Sequence, residues 1–265
     1  MSFRENTAGE LIYMTSGNIS ARHAFTTRYG GVSTGVYKSL NLGINRGDDP
    51  AKVEENYRTI CGHLGMRLDK MIFSRQVHGD TVRVVTGDDS LGDIFLYGSY
   101  EADALVTTEP DLPLIVFTAD CIPILLHDPV SGCVGACHAG WRGTVIDIAG
   151  KTVKAMTEVS GGLPGDIKAA IGPGIGMCCF ETGKEVAQAV MGVLGNRGDY
   201  CIEVKREDKY MVDLKQVNRQ LLFRAGVEDV SVSGECTMCS HEKYWSHRHT
   251  DGVRGSQASI IMMSK

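Results

Sequence analysis

Short apolar runs of four or five residues crowd the stretch from Met71 to Cys137, and they constrain the fold more than any other feature. Met71–Ser74, Thr81–Val85, Ala104–Thr107, Pro113–Phe117, Ile122–Leu126 and Cys133–Cys137 have strand length and strand composition. Ile167–Ile171, Asp229–Val232 and Ala258–Met262 continue the series among helical segments. Some runs alternate and others are apolar throughout, which predicts strands buried on both faces. Strands that cluster first and then mix with helices predict an α/β protein of the α+β, mixed-sheet kind, a layered sandwich and not a regular βαβ repeat.

Four segments read as helices. Asp49 is placed to cap a helix with Pro50 at its first position, and Val53, Tyr57, Ile60 and Leu64 form one apolar face. A second helix is predicted from about Thr144 to Glu158, and a third starting near Glu181. A fourth starts at Asp213, with Gln216 three residues on as in a capping box. No repeat, low-complexity tract or linker divides the chain, so residues 1–265 read as one domain.

Charge and segment length exclude several function classes. Lysine and arginine total 27 against 32 acidic residues, a net charge of −5. Nucleic-acid and anionic-membrane surfaces favour a basic excess, so neither partner is expected. No apolar run reaches the length of a transmembrane helix, and the first residues lack a signal-peptide core. A cytoplasmic location is therefore expected, and the nine cysteines read as reduced thiols. GxxxxGK[ST], HExxH, GxSxG and HxE…PCxxC are all absent. The glycines from Gly172 to Gly176 are interrupted by Pro173 and lack the GxGxxG spacing, so they read as a turn.

Three distant segments each carry a reactive side chain at a strand end or in a turn: His78 in SRQVHG, Cys121 in TADCIP and His138 in CHAGWRGT. Two imidazoles and a thiolate make a plausible open site for zinc, or for copper. Three protein ligands leave a fourth position for water or substrate, the arrangement of catalytic sites. A second reading uses the same residues without metal. Cys121 becomes a nucleophile, His138 its base, and Asp120 or Asp103 the orienting acid of a cysteine hydrolase. Cys236-Thr-Met-Cys239, with His241, His247 and His249 downstream, competes for a metal. Without a second CxxC it reads as a turn with ordinary thiols, as do Cys178-Cys179 and Cys133/Cys137. Arg142, Arg248 and Arg254 lie among turn glycines and histidines, where a guanidinium suits a phosphate or carboxylate.

Taken together, SRQVHGDTV, EADALVTTEPDLPLIVFTADCIPILL, CHAGWRGTV, IGPGIGMCCFETGKEV and CTMC…YWSHRH resemble the YfiH/YlmD-type family, across nearly the whole chain. That family was once called multicopper polyphenol oxidases or laccases and includes the mammalian laccase-domain protein FAMIN. The resemblance implies a cysteine-hydrolase-like layered fold and puts the family's metal ligands on His78, Cys121 and His138. It implies purine nucleoside phosphorolysis of adenosine, inosine and S-methyl-5′-thioadenosine to free base and sugar 1-phosphate, with adenosine deamination beside it. Copper-dependent phenol oxidation and an amidase-like role in peptidoglycan precursor editing are attached to relatives. Nucleoside and phosphate are then the expected partners, and zinc the expected cofactor, with copper the alternative. The chain is expected to act as a monomer or small homo-oligomer. Asn41 and Gln76, polar side chains in matching turns, become candidates for ribose or base contacts, and Arg142 and Arg248 for phosphate. Eight histidines scattered along the chain poorly supply the many imidazoles a blue copper and a trinuclear cluster need. The C-terminal SHRHTDGVRGSQAS departs from the family's arginine pattern: His249 replaces a second arginine after Arg248, and Ser256 stands where another is usual.

Overall fold

A computed structural model describes residues 3–96 and 100–264. Among them the chain forms β1 (Phe3–Ala8), β2 (Leu11–Ser16), β3 (Arg22–Thr26), α1 (Pro50–Leu64), β4 (Val82–Val84), β5 (Ala104–Thr107), β6 (Leu114–Thr118), β7 (Ile122–Asp128) and β8 (Cys133–Ala139). There follow α2 (Trp141–Val145), α3 (Ile148–Ser160), β9 (Lys168–Ile171), β10 (Glu181–Thr182) and α4 (Lys184–Leu194). The chain ends with β11 (Ile202–Arg206), β12 (Lys209–Val212), α5 (Leu214–Arg224), β13 (Asp229–Val232) and β14 (Gln257–Met262).

Two sheets carry the architecture. A mixed six-stranded sheet runs β13-β9-β7-β8-β5-β4, and an antiparallel five-stranded sheet runs β1-β2-β3-β14-β6. The two-residue period of a strand sends neighbouring side chains to opposite faces. Ile124 and Leu126 pack with Val153, Met156 and Leu221 on the helical side, while Leu125 between them packs with Leu114, Val116 and Ile261 of the other sheet. On the far face of that second sheet, Ile115 and Ile260 pack with Val53, Tyr57 and Ile60 of α1. The result is a layered mixed α/β protein: α1, five-stranded sheet, six-stranded sheet, then α3 to α5. Nearly every core strand is buried on both faces, as the continuously apolar runs require.

The first and fourth helices follow their caps. Asp49 accepts from Ala51 N (3.0 Å) and Asp213 from Gln216 N (3.0 Å). The single helix expected from Thr144 is instead two, broken at Asp147. That residue adopts φ 62° and caps α3 through Gly150 N (3.0 Å), and its other oxygen takes Arg224 (2.8 Å). The third helix starts at Lys184 and not at Glu181, because Glu181 and Thr182 pair with β12. Met71–Ser74 contributes only an isolated bridge from Ile72 to Leu114. The β1–β3 meander and the small β10-β12-β11 sheet lie outside the expected strands: β1 and β11 are mostly polar and exposed, although β2 carries the short apolar run Leu11–Met14.

Candidate metal and substrate site

Strand register gathers the three reactive segments. In the six-stranded sheet Pro123 pairs with His138, Cys137 with Ala104, and Ala104 with Val82. Cys121 just before β7, His138 near the end of β8, Asp103 just before β5 and the 75–81 turn before β4 therefore share one end of the sheet. The ligand atoms of His78, Cys121 and His138 lie within 4.8 Å of one another. Cys121 Sγ is 3.7 Å from His78 Nε2, and the two imidazoles meet edge to face at 4.8 Å between centroids.

These residues suit a metal on three counts. A tetrahedral ion with zinc-like bond lengths sets its sulfur and nitrogen ligands about 3.6 Å apart, which matches the Cys121–His78 separation. His138 Nδ1 faces Asp103 Oδ1 at 2.8 Å, which leaves Nε2 as the ligand atom and supplies the carboxylate behind an imidazole ligand that metal sites use. Gly140 leaves the necessary room: a Cβ there would meet His78 Cδ2 at 2.8 Å and Cys121 Sγ at 3.2 Å.

Asp103 organises this floor. Fully buried, it accepts Val77 N (3.1 Å) and Gly79 N (2.8 Å) on Oδ2 and His78 N (3.0 Å) on Oδ1. Those bonds hold the turn in which His78 adopts φ 61°. Burial alone raises the Asp103 carboxyl, but the His138 contact and the backbone donors outweigh it and keep the group below the usual carboxylate range. Burial also opposes ionisation of Cys121, yet the neighbouring His138 and His78 bring its thiol down to about 6. His138 is pushed up to about 9: burial works against its charge, and Cys121 and Asp103 outweigh burial.

Two cavities open from this floor. The smaller, about 240 Å³, is lined by His78, Cys121, His138, Thr118, Arg46 and Arg254, among others. The wider cleft, about 630 Å³, shares His78, Cys121, Arg46 and Arg254 and adds Trp141, Phe180 and Arg248. Arg254 and Thr118 both line the smaller cavity, and among the described residues Arg254 Nε and Thr118 Oγ1 are buried polar atoms with no hydrogen-bond partner. Arg254 Nη1 donates to Gly255 O and Ser256 Oγ, both at 2.9 Å. Burial and the proximity of Arg46 draw the Arg254 guanidinium down to about 10. Among the described residues neither arginine forms a salt bridge.

The other expected contacts divide. Gln76 lines the smaller cavity, but its amide is engaged with Phe117 O (2.8 Å) and Phe117 N (2.7 Å). Asn41 is fully buried behind the wall, accepting Gly43 N and Ser256 N and donating to Asp48. Arg248 sits in the wider cleft, its backbone N–H on Asp120 Oδ2 (2.7 Å) and Nη1 on Glu181 O (3.2 Å). Arg142 is exposed, 4.5 Å from the Trp141 ring, and lines neither cavity. Arg46, Trp141 and Phe180 escaped the sequence reading. Trp141 and Phe180 sit inside quoted motifs, whereas Arg46 lies in an ordinary glycine-rich loop with no signal beyond its charge.

The remaining histidines do not add imidazoles to the centre. His23 and His127 are buried elsewhere, His241 stacks on His249 at 3.7 Å, and His247 lines the wider cleft. The CxxC does not recruit those histidines. Its thiols Cys236 and Cys239 instead meet Cys178 and Cys179, all four sulfurs lying within 4.8 Å of one another.

Comparison with known proteins gives the family and the fold. The sequence profile described as multi-copper polyphenol oxidoreductase laccase matches residues 22–264. A purine nucleoside phosphorylase of Deinococcus radiodurans is 41% identical over 255 residues, covering 96% of this chain and 94% of the relative. The adenosine deaminase RL5, from an unknown prokaryotic organism, is 36% identical over 239 residues, covering 87% of this chain and 90% of its own. The crystal structure of YlmD from Geobacillus stearothermophilus superposes with a TM-score of 0.92 at 32% identity, over 98% of each chain.

Proposed function

The chain belongs to the multi-copper polyphenol oxidoreductase laccase family, and on that premise we propose that it is a zinc-dependent purine nucleoside phosphorylase with adenosine deaminase activity. Adenosine, inosine and S-methyl-5′-thioadenosine are its substrates in this reading. The observation that carries the reading is the convergence of His78, Cys121 and His138 with Arg46 and Arg254 on one small polar cavity beside an aromatic cleft.

Phosphorolysis breaks the C1′–N bond of the nucleoside as C1′ bonds a phosphate oxygen, and the proton phosphate gives up ends on the purine. The residues suit that task. Arg46 and Arg254 offer two cations to a phosphate, and Arg254 Nε has a hydrogen bond to give. Trp141 and Phe180 offer faces for a purine ring in the wider cleft. Holding both reactants against one floor turns their encounter into a unimolecular step. An ion bound by His78, Cys121 and His138 supplies a Lewis acid there. Deamination breaks the purine C6–N bond as C6 bonds the oxygen of a water molecule, and the amine leaves as ammonia. The name of the RL5 relative supports its presence here.

A metal-free thiol hydrolase is the second reading, favoured by the lowered Cys121 thiol beside a His138 oriented by Asp103. Chromatography of adenosine incubated with the protein, with and without phosphate, tests the proposal. Adenine formed only with phosphate, together with inosine formed regardless of it, is the expected result. Activity should fall on chelation and return with zinc. Untouched adenosine sinks the nucleoside reading, and amide hydrolysis that survives chelation establishes the thiol hydrolase.

A further inference from the structure

Cys178, Cys179, Cys236 and Cys239 are not explained by packing. Buried cysteines are ordinarily small hydrophobes, but Cys178 and Cys239 are exposed and Cys179 is half-exposed. Apolar burial therefore does not account for their convergence from segments 61 positions apart. The sulfurs sit at 3.5 Å (Cys178–Cys239) and 3.3 Å (Cys179–Cys239), well beyond a disulfide bond of about 2.05 Å. A tetrahedral tetrathiolate ion with bonds of about 2.3 Å spaces its sulfurs about 3.8 Å apart. The two closest pairs fall a few tenths of an ångström short of that spacing, and all four sulfurs lie within 4.8 Å of one another.

The surroundings are those of a thiolate cluster. Gly176 N donates to Cys236 Sγ (3.2 Å). A side chain at Gly176 would close the site, since its Cβ would meet Cys236 Cβ at 3.1 Å and Cys178 Sγ at 3.2 Å. The buried ammonium of Lys215 bonds Ser233 O (3.0 Å) and Glu235 O (2.6 Å), beside Cys236, where it offsets negative charge. Each cysteine pair rides a tight turn, closed by Cys179 N to Gly176 O (3.0 Å) and by Ser240 N to Cys236 O (2.9 Å).

We propose that these four cysteines bind a second zinc ion in a closed tetrathiolate site, separate from the His78–Cys121–His138 centre. Each thiol loses its proton to solvent as the ion enters, and no oxidant is involved. Four protein ligands leave no open position, so the ion is structural. What it fastens is the floor of the cleft. Thr237, next to Cys236, donates to Asp120 Oδ1 (2.6 Å), and Ile175, in the turn before Cys178, donates to Asp120 O (2.8 Å). Asp120 precedes Cys121, so the zinc staples together the two loops that hold the Cys121 turn.

Zinc content and X-ray absorption of the full chain, purified without chelator, test this independently of turnover. Wild type should carry about two zinc ions per chain. His78→Ala/Cys121→Ala should keep about one, with a sulfur-only first shell at about 2.3 Å. Cys236→Ser/Cys239→Ser should also keep about one, with a mixed nitrogen and sulfur shell. A zinc-free His78→Ala/Cys121→Ala variant overturns the proposal, as do nitrogen or oxygen in its first shell, iron with acid-labile sulfide, or a disulfide among the four in fresh protein. If the cysteine variant does not fold, the His78→Ala/Cys121→Ala result decides.

Discussion

Asp103 Oδ1 lies 2.8 Å from His138 Nδ1, and both side chains are buried. This bond fixes the His138 ring with Nε2 toward Cys121, and the other contacts of the same carboxylate fix the His78 turn. One aspartate therefore aligns two of the three proposed metal ligands. Asp103→Asn puts an amide NH2 where the carboxylate accepts from backbone N–H groups. Zinc affinity should fall about 10- to 100-fold, the usual effect of losing a carboxylate behind a metal-bound histidine. Competition with a chromophoric chelator reads this. Unchanged affinity would mean that His138 holds its orientation without Asp103.

Gly140→Ala isolates the room around the ligands from backbone effects. Gly140 has φ −65° and ψ 167°, a conformation alanine adopts without strain. Its new Cβ would collide with His78 and Cys121 alone among the nearest atoms. Turnover should fall at least about tenfold while the thermal midpoint in metal-free protein shifts little. A large loss of metal-free stability would place the effect in the fold.

Cys121 gives a pH signature. Its lowered thiol is ionised above about pH 6 in metal-free protein, so iodoacetamide labelling should rise with pH to a half-maximum there. Cys133 and Cys137, pushed up to about 12 by burial, should resist labelling across the same range. Zinc should protect Cys121. Peptide mapping separates the sites. A half-maximum above pH 8 would contradict the electrostatic support from the two histidines.

How far the sequence reveals this molecule depends on the kind of signal. β5 is found to the residue because apolar burial on both faces leaves a run no loop would carry, and β13 because Val230 and Val232 alternate with the polar Asp229 and Ser231. Asp49 and Asp213 mark helix starts because a cap is a local, one-residue chemistry. The Asp147 break is hidden inside a helical pattern, since it depends on Arg224 arriving from α5. The grouping of His78, Cys121 and His138 is suggested by residue type, but their distances follow from strand register, which no spacing encodes. The pairing of Cys178-Cys179 with the CxxC was missed for the same reason: the second half of the cluster lies on another loop. Asn41 is a different case, a polar residue in a promising turn whose buried side chain is engaged by Gly43 N, Ser256 N and the Asp48 carboxylate.

Acid stability should depend on His23. Ser16 N donates to its Nε2 (2.8 Å), and its Nδ1 lies 2.8 Å from Ala21 O, so the proton sits on Nδ1 and the ring is neutral. Burial lowers its pKa, against the Ala21 contact that raises it, and burial lowers His127 likewise. A lowered folded-state pKa means the unfolded chain takes the proton first as pH drops below about 6.5. Stability is unaffected above that pH and falls below it, by up to about 1.4 kcal/mol per pH unit for each such group. Acid also strips metal ligands, so the quantity to measure is a difference. His23→Gln should show a shallower fall in urea midpoint between pH 7 and 5 than wild type. Parallel curves would exclude His23.

In the proposed phosphorylase reading, the arginines decide where phosphate binds. Arg46 and Arg254 reach the cavity that holds the ligand triplet, whereas Arg142 stands outside both cavities. The C-terminal departure from the family's arginine pattern thus has a structural counterpart: Arg254 donates to Ser256, the residue standing where an arginine is usual. Arg254→Lys keeps charge but loses the planar fork and the Nε donor. A hydrogen bond to a charged group contributes about 1.5–3 kcal/mol, so the phosphate KM should rise about 10- to 100-fold, with the adenosine KM changed much less. Arg142→Ala should leave the phosphate KM near wild type. Arg248→Ala should act mainly on the nucleoside, because its guanidinium faces the wider cleft. If Arg142→Ala raises the phosphate KM and Arg254→Lys does not, the anion is held at the mouth of α2 and the small cavity belongs to the sugar.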